Sequence, residues 1–207
     1  MTAAQRERAA LVDTMRTVGP DAPTLCGKWT TRDLAAHLVV REGRLDATAG
    51  VVIPFLAGYT EKVQRQVTQS TDWDELLDKI SSGPPLYSPF KILDPVANMG
   101  EMFIHHEDVR RAQTGWEPRP LDDATVKALG RGLPIMARLT LAKAPARVSL
   151  RTPQGKEVVT LGRGSELTVT GEPQELLLFI SGRDEARLTF GGEPETVNAV
   201  RVARRGL

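Results

Sequence analysis

The stretch DPVANMGEMFIHHEDVRR, residues 94–111, predicts one amphipathic helix around which the rest of the chain is organised. Asp94 suits the cap position, and Pro95 suits the first helical position, where the missing N–H costs nothing. Glu101 and His105 are four residues apart, so they project from one face of this helix, about one turn apart. A carboxylate and an imidazole at that spacing can hold one divalent cation together, provided that a third ligand comes from elsewhere.

The composition is that of an ordinary soluble globular protein. The 207 residues suffice for one large domain or two small ones, and for a real core. The net charge of +1 gives no general argument for nucleic acid or a membrane as a partner. The single cysteine, Cys26, excludes an internal disulfide and fits a reducing compartment. No signal-peptide core and no apolar run near ~20 residues is found, so we expect a cytoplasmic protein.

A second amphipathic helix opens with Thr30 or its neighbour as the cap. With Thr30 as the cap, Asp33 takes the third position of a capping box. His37 lies beside the apolar positions of this helix, and a lone histidine there is usually an interior residue. Two interpretations of His37 therefore remain: a packing residue, or a metal ligand that joins the pair on the other helix. Cys26, just before this helix, is expected to be a small buried hydrophobe, because no base is visible near it in the sequence.

The spacing of apolar residues changes from helical to strand-like near residue 144. Further helices are expected at residues 3–17, 61–69, 72–80 and 121–143, the last kinked by Pro134. A proline-rich loop, residues 81–89, leads to the first stretch. Strands are expected at residues 147–152, 157–161, 166–170 and 186–190, with helices at 172–182 and 194–202. The sequence thus predicts a helical part, residues 1–143, followed by a small α+β part, residues 144–207.

Helices joined by loops predict an antiparallel bundle, in which ligand sites are built from side chains on facing helices. We expect His37, Glu101 and His105 to form such a site. Two imidazoles and a carboxylate suit zinc, and three protein ligands leave a fourth position open, as in catalytic zinc sites. Nickel, iron or manganese can bind the same set, because ligand type alone does not select the metal.

Other residues of the 94–111 helix are not expected to be metal ligands. His106 is not expected to be a ligand, although it can line the pocket. Asp108 lies one turn beyond His105 and can accept its second N–H, as metal-bound histidines usually require. A surface pair of Asp108 with Arg111 is an equal alternative. Arg110 and Arg111 are expected to form a solvated or interdomain patch.

Three stretches together resemble the mycothiol-dependent maleylpyruvate isomerase superfamily, which belongs with the DinB-like metal-binding bundles. They are WTTRDLAAHL at 29–38, EMFIHHEDVRRA at 101–112 and the C-terminal strand–helix–strand segment. The resemblance implies a DinB-like antiparallel four-helix bundle followed by an α+β domain similar to sterol-carrier modules. It places the family's metal ligands on His37, Glu101 and His105 and implies zinc. It also implies a low-molecular-weight thiol, mycothiol, as the cosubstrate.

The activity implied by this resemblance is thiol-dependent isomerisation or S-transfer on a small electrophilic substrate. In the isomerase, an arginine of the C-terminal domain contributes to holding an acidic substrate. Arg201, Arg204 and Arg205 are the candidates here, and a solvated basic tail is the alternative. Two other functions stay open: a metal- or thiol-binding module without turnover, and a protein whose histidines only pack.

Overall fold

The computed structural model describes residues 2–44, 57–85, 88 and 95–203, which hold eight helices and four strands. By its internal contacts the chain divides into two compact units, Met1–Glu117 and Pro118–Leu207. The first unit is helical, and the second combines helices with a sheet. The protein is therefore mainly helical with a smaller α+β part, as the change of pattern along the sequence predicts.

The first unit contains five described helices: α1 (Ala3–Val18), α2 (Thr31–Gly43), α3 (Ala57–Ser70), α4 (Trp73–Ser82) and α5 (Pro95–Arg111). Helix α1 packs against α5 and α4, and α2 packs against α3 and α4. The finer description of this unit as an antiparallel four-helix bundle stays a prediction. Asp94, which was predicted as a helix cap, lies outside the described residues, and so does the segment 45–56.

The start of α2 confirms the predicted capping box. The Thr30 hydroxyl accepts a hydrogen bond from the Asp33 backbone N–H at 3.3 Å, and the Asp33 carboxylate accepts one from the Thr30 N–H at 3.0 Å. The loop before this cap is tied to α5, because the backbone N–H of Leu25 donates to the carbonyl of Asp108 at 3.0 Å. Two elements distant in sequence, the α2 entry loop and α5, are thereby fixed side by side.

An apolar core holds helices α1, α2, α4 and α5 of the first unit together. Its fully buried members come from α1, α2, α4 and α5: Leu11, Met15, Leu34, Leu38, Leu76, Leu77, Met102 and Val109. Burying each large aliphatic side chain contributes about 1.5–3 kcal/mol, so this core is the main support of the unit. A buried ion pair adds to it, in which Arg8 of α1 donates to Glu42 of α2 at 2.8 Å and to the carbonyl of Ile80 at 2.9 Å.

The second unit is a four-stranded sheet with three helices. The strands are β1 (Arg147–Arg151), β2 (Glu157–Leu161), β3 (Glu166–Thr170) and β4 (Thr189–Gly191), and their order in the sheet is β2-β1-β3-β4. Strands β1 and β3 are parallel, and the two outer pairs are antiparallel. The helices are α6 (Asp123–Thr140), α7 (Pro173–Ile180) and α8 (Pro194–Val202).

Helix α6 belongs to the second unit, so the division falls earlier than the boundary predicted after residue 143. It packs against α7 and β2. At Gly130 a Cβ atom would stand 3.6 Å from the Cβ of Pro173, an ordinary contact that shows how near α6 lies to the start of α7. The apolar period of α6 does not show which elements cover the helix, and Leu139, which belongs to that period, is 61% exposed. The fourth strand is Thr189–Gly191 rather than residues 186–190.

Candidate metal centre

The three residues predicted as metal ligands meet in the first unit. His37 comes from α2, and Glu101 and His105 come from α5. One ligand atom from each lies within 4.8 Å of the other two. Glu101 Oε1 is 3.2 Å from His105 Nε2, and the rings of His37 and His105 meet edge to face with centroids 5.5 Å apart. Their assignment as ligands stays a prediction, but the geometry that it requires is present.

The site lies at the edge of the core rather than inside it. Met102 and Phe103, which follow Glu101, are buried to within 1% and anchor α5. The side chain of Glu101 keeps 25% of its surface exposed, whereas that of His105 keeps 10%. The cluster is therefore held by a packed helix and remains reachable from solvent on the Glu101 side.

Asp108 fixes the orientation of His105 from behind. Its Oδ2 atom lies 2.9 Å from His105 Nδ1, and the residue is fully buried. With Nδ1–H donated to Asp108, the lone pair of Nε2 faces Glu101 and His37, which is the tautomer that a metal ligand needs. The alternative, a surface ion pair between Asp108 and Arg111, is wrong, because Asp108 is fully buried.

Cys26 also reaches this hydrogen-bond system. Its Sγ atom donates to Asp108 Oδ2 at 3.0 Å and lies 3.9 Å from His105 Nδ1. The expectation of a plain buried hydrophobe is wrong, since Cys26 is only half-buried and contacts both polar groups. No local signal in the sequence indicates these contacts, because the partners lie about 80 positions further along the chain. Cys26, His105 and Asp108 form a second group of possible metal ligands, which shares His105 with the first.

Arg41 is a further site residue that the sequence analysis missed. Its Nε atom is 3.1 Å from Glu101 Oε1, the oxygen that also faces His105. It follows His37 by four residues on α2, so the same helical spacing that pairs Glu101 with His105 could have identified it. A permanent cation, Arg41, thus lies beside the predicted ligands.

Burial and mutual charge set the protonation of the cluster. Burial, together with the charges of His105 and Arg41, lowers the pKa of His37 to about 4. Burial alone would raise the pKa of Glu101, but the hydrogen bond and charge of His105, followed by Arg41, lower it to about 2. Burial works against the charged form of His105, but hydrogen bonds to Asp108, Cys26 and Glu101 raise its pKa well above the usual value. Without metal, His105 therefore carries the proton and His37 is neutral.

His106, adjacent to His105, faces a different part of the unit. Its Nδ1 lies 2.8 Å from Glu7 Oε1, and its Nε2 lies 2.8 Å from Thr14 Oγ1. Both nitrogens are thus engaged with α1, and the residue is 3% exposed. His106 links α5 to α1, whereas His105 belongs to the cluster with α2.

The two arginines at the end of α5 differ from the expected patch. Arg111 is 3% exposed, donates to Glu107 at 2.6 Å and stacks over Trp116 at 4.6 Å. Arg110 also donates to Glu107, at 2.9 Å. The expectation of a solvated patch is wrong for Arg111, because the buried carboxylate of Glu107 and the Trp116 ring enclose it.

Of the arginines proposed to bind substrate, only Arg201 lies among the described residues. It belongs to the second unit, where its Nε is 3.6 Å from Asp184 and its guanidinium lies over Phe190 at 5.6 Å. Arg204 and Arg205 lie outside the described residues. A substrate-binding role for any of the three stays a prediction. No helix of the described chain is long and apolar enough to span a membrane.

Of the comparisons with known proteins, only the one with solved structures finds a match. No protein-family model and no curated protein matches the chain. Among solved structures, the crystal structure of the mycothiol-dependent maleylpyruvate isomerase matches with a TM-score of 0.60 and 13% identity, covering 93% of this chain and 92% of that one. A histidine-to-alanine mutant of that enzyme matches with a TM-score of 0.59 and 12% identity over the same shares. This chain therefore has the fold of the mycothiol-dependent maleylpyruvate isomerase, and its chemistry must be argued from its own site.

Proposed function

We propose that this protein is a zinc-dependent enzyme that uses a low-molecular-weight thiol of the mycothiol class on a small electrophilic substrate, as an isomerase or an S-transferase. The observation that carries the proposal is the meeting of His37, Glu101 and His105 from two helices, with their ligand atoms within 4.8 Å. The fold supports this proposal, because two solved structures similar to this chain are of a mycothiol-dependent isomerase and its mutant.

The donor set fits a divalent metal. Two ligands of a tetrahedral zinc ion with bonds of ~2.1 Å stand roughly 3.4 Å apart. Glu101 Oε1 and His105 Nε2 are already 3.2 Å apart. His105 also has the carboxylate partner that metal-bound histidines usually have, in Asp108. Three protein ligands leave one position for a further ligand, which is typical of catalytic rather than structural zinc.

Each residue of the cluster has a defined task in this scheme. Zinc, when bound, supplies the positive charge that lowers the pKa of a thiol and makes the nucleophilic thiolate available at neutral pH. His37 and His105 hold the metal as neutral imidazoles, and Asp108 keeps the Nδ1 proton of His105 in place. Glu101 adds one negative charge, so the site keeps a net positive charge that favours an anionic nucleophile.

The proposal is tested by zinc content and turnover. Protein purified without a metal-affinity tag should contain about one zinc per chain by mass spectrometry, and His37→Ala should lose it while remaining folded. His106→Ala is the matched control, since its ring contacts Glu7 and Thr14 instead of the cluster. The zinc-loaded protein is then assayed with a thiol and a panel of electrophiles. Absence of zinc after reconstitution would refute the proposal, and thiol binding without turnover would make the protein a binding module.

A further inference from the structure

A second group of donor atoms lies at the other nitrogen of the His105 ring. Cys26 Sγ is 3.0 Å from Asp108 Oδ2 and 3.9 Å from His105 Nδ1, and Oδ2 and Nδ1 are 2.9 Å apart. His105 faces Glu101 with Nε2 instead. A thiol, an imidazole nitrogen and a carboxylate oxygen therefore lie together on a side of His105 that the first cluster does not use.

The loop that carries Cys26 is held in place by its own hydrogen bonds. The Thr24 hydroxyl accepts from the Cys26 backbone N–H at 3.2 Å and donates to the Trp29 carbonyl at 2.8 Å. The backbone N–H of Leu25 donates to the carbonyl of Asp108 at 3.0 Å. The thiol is thus fixed beside α5 by backbone contacts, so the three donor atoms are assembled before any ion binds.

The distances between these donor atoms are close to those around one shared ion. A sulfur ligand at ~2.3 Å and a nitrogen or oxygen ligand at ~2.0 Å of a tetrahedral ion stand roughly 3.5 Å apart. The two sulfur distances here, 3.0 and 3.9 Å, lie on either side of that value. The nitrogen–oxygen distance of 2.9 Å is shorter because a hydrogen bond closes it. Replacing the shared protons by an ion needs only small side-chain movements.

Burial and sulfur together indicate which ions this group selects. Asp108 is fully buried and His105 is 8% exposed, whereas Cys26 is only half-buried. A buried carboxylate attracts a cation more strongly than an exposed one does. A thiolate is a soft ligand that prefers soft or borderline ions, and the first cluster contains no sulfur. The Cys26 side is therefore the more favourable one for a thiophilic ion.

We propose that Cys26 Sγ, His105 Nδ1 and Asp108 Oδ2 form a second metal site, which binds a thiophilic divalent cation such as cadmium. Its donor set does not depend on the proposed function. Binding releases the proton of the thiol and leaves the one proton of the neutral His105 ring on Nε2. A neutral imidazole has a single lone pair, so an ion at Nδ1 removes His105 from the first cluster. A thiophilic cation thus competes with zinc for this ring.

The test is a cadmium titration of protein from which a chelator has removed all metal, followed by the ultraviolet absorption of the cadmium–thiolate bond. Cys26 is the single cysteine of the chain, so this absorption reports on it alone. Long-range proton–nitrogen NMR spectra then show which nitrogen of His105 binds the ion. Asp108→Asn removes the carboxylate of the second site. Glu101→Gln is the matched control, since its carboxylate belongs to the first cluster.

We expect about one cadmium ion per chain, with thiolate absorption and with His105 bound through Nδ1. The cadmium dissociation constant should rise about tenfold in Asp108→Asn, as for loss of an interaction with a charged group. Glu101→Gln should retain the thiolate absorption and the affinity.

Cadmium binding without thiolate absorption would overturn the inference, and so would a His105 Nδ1 that stays protonated. Half a cadmium per chain would also overturn it, since two molecules would then share one ion through Cys26. Equal loss of affinity in the two folded variants, verified by circular dichroism, would do the same. The proposed function is judged separately, by zinc content and turnover.

Discussion

Replacing Asp108 by asparagine tests the contribution of its negative charge to metal binding by His105. Asp108 is fully buried on α5 and is not one of the three predicted ligands. Its Oδ2 accepts from His105 Nδ1 at 2.9 Å and from Cys26 Sγ at 3.0 Å. The variant keeps the size and most of the shape of the side chain but removes its charge.

The expected loss of zinc affinity follows from these contacts. A hydrogen bond to a charged acceptor contributes about 1.5–3 kcal/mol and a neutral one about 0.5–1.5 kcal/mol, so the change costs roughly 1–2 kcal/mol. Loss of a nearby negative charge weakens the attraction for a dication further. We therefore expect the zinc dissociation constant of Asp108→Asn to rise about 10- to 100-fold. This is the usual range for removing a group that hydrogen-bonds to a metal ligand.

The assay is competition with a chromophoric chelator at pH 7.5, with circular dichroism to verify the fold. Asp13→Asn is the matched control, because Asp13 lies on α1 and its side chain is 78% exposed. In the His105→Ala background the same Asp108 change should have little further effect, since it acts through that ring. Unchanged zinc affinity in a folded Asp108→Asn protein would refute the reasoning, as would an equal loss with and without His105.

The remaining predictions concern pH and stability. The folded pKa of His37, about 4, lies below the unfolded value of 6.5, so its contribution to stability is present above pH 6.5 and is lost as the pH falls toward 4. In urea titrations of metal-free protein, the free energy of unfolding should fall between pH 7.5 and 4.5. This fall should be about 2–3 kcal/mol smaller in His37→Gln than in the native protein. Equal falls in the two proteins would contradict the assigned pKa. Arg8→Met leaves the 5%-exposed Glu42 carboxylate unpaired. It should lower the free energy of unfolding, measured by urea titration, by about 3–5 kcal/mol. Adding Glu42→Gln should recover much of that loss, and no recovery would show that the pair is not the cause.

The sequence by itself determined the features that depend on local chemistry. Thr30 and Asp33 are three residues apart, so the capping box follows from their identity alone, and the structure confirms it. Strands β2 and β3 begin and end where alternation and turn residues predict. The one-turn spacing of Glu101 and His105 likewise follows from helix geometry, whatever surrounds the helix.

Only the tertiary structure decided which groups complete the site. Cys26 and Asp108 meet across 82 positions, because the loop before α2 is bonded to α5. The burial of Asp108 and the exposure left to Arg41 depend on how α5 packs against α1 and how α2 lies beside the cluster. Helical spacing predicts which side chains share a face of a helix, but it does not predict which other element packs against that face. The roles of these residues were undetermined in the sequence because packing between distant segments sets burial, charge environment and hydrogen-bond partners.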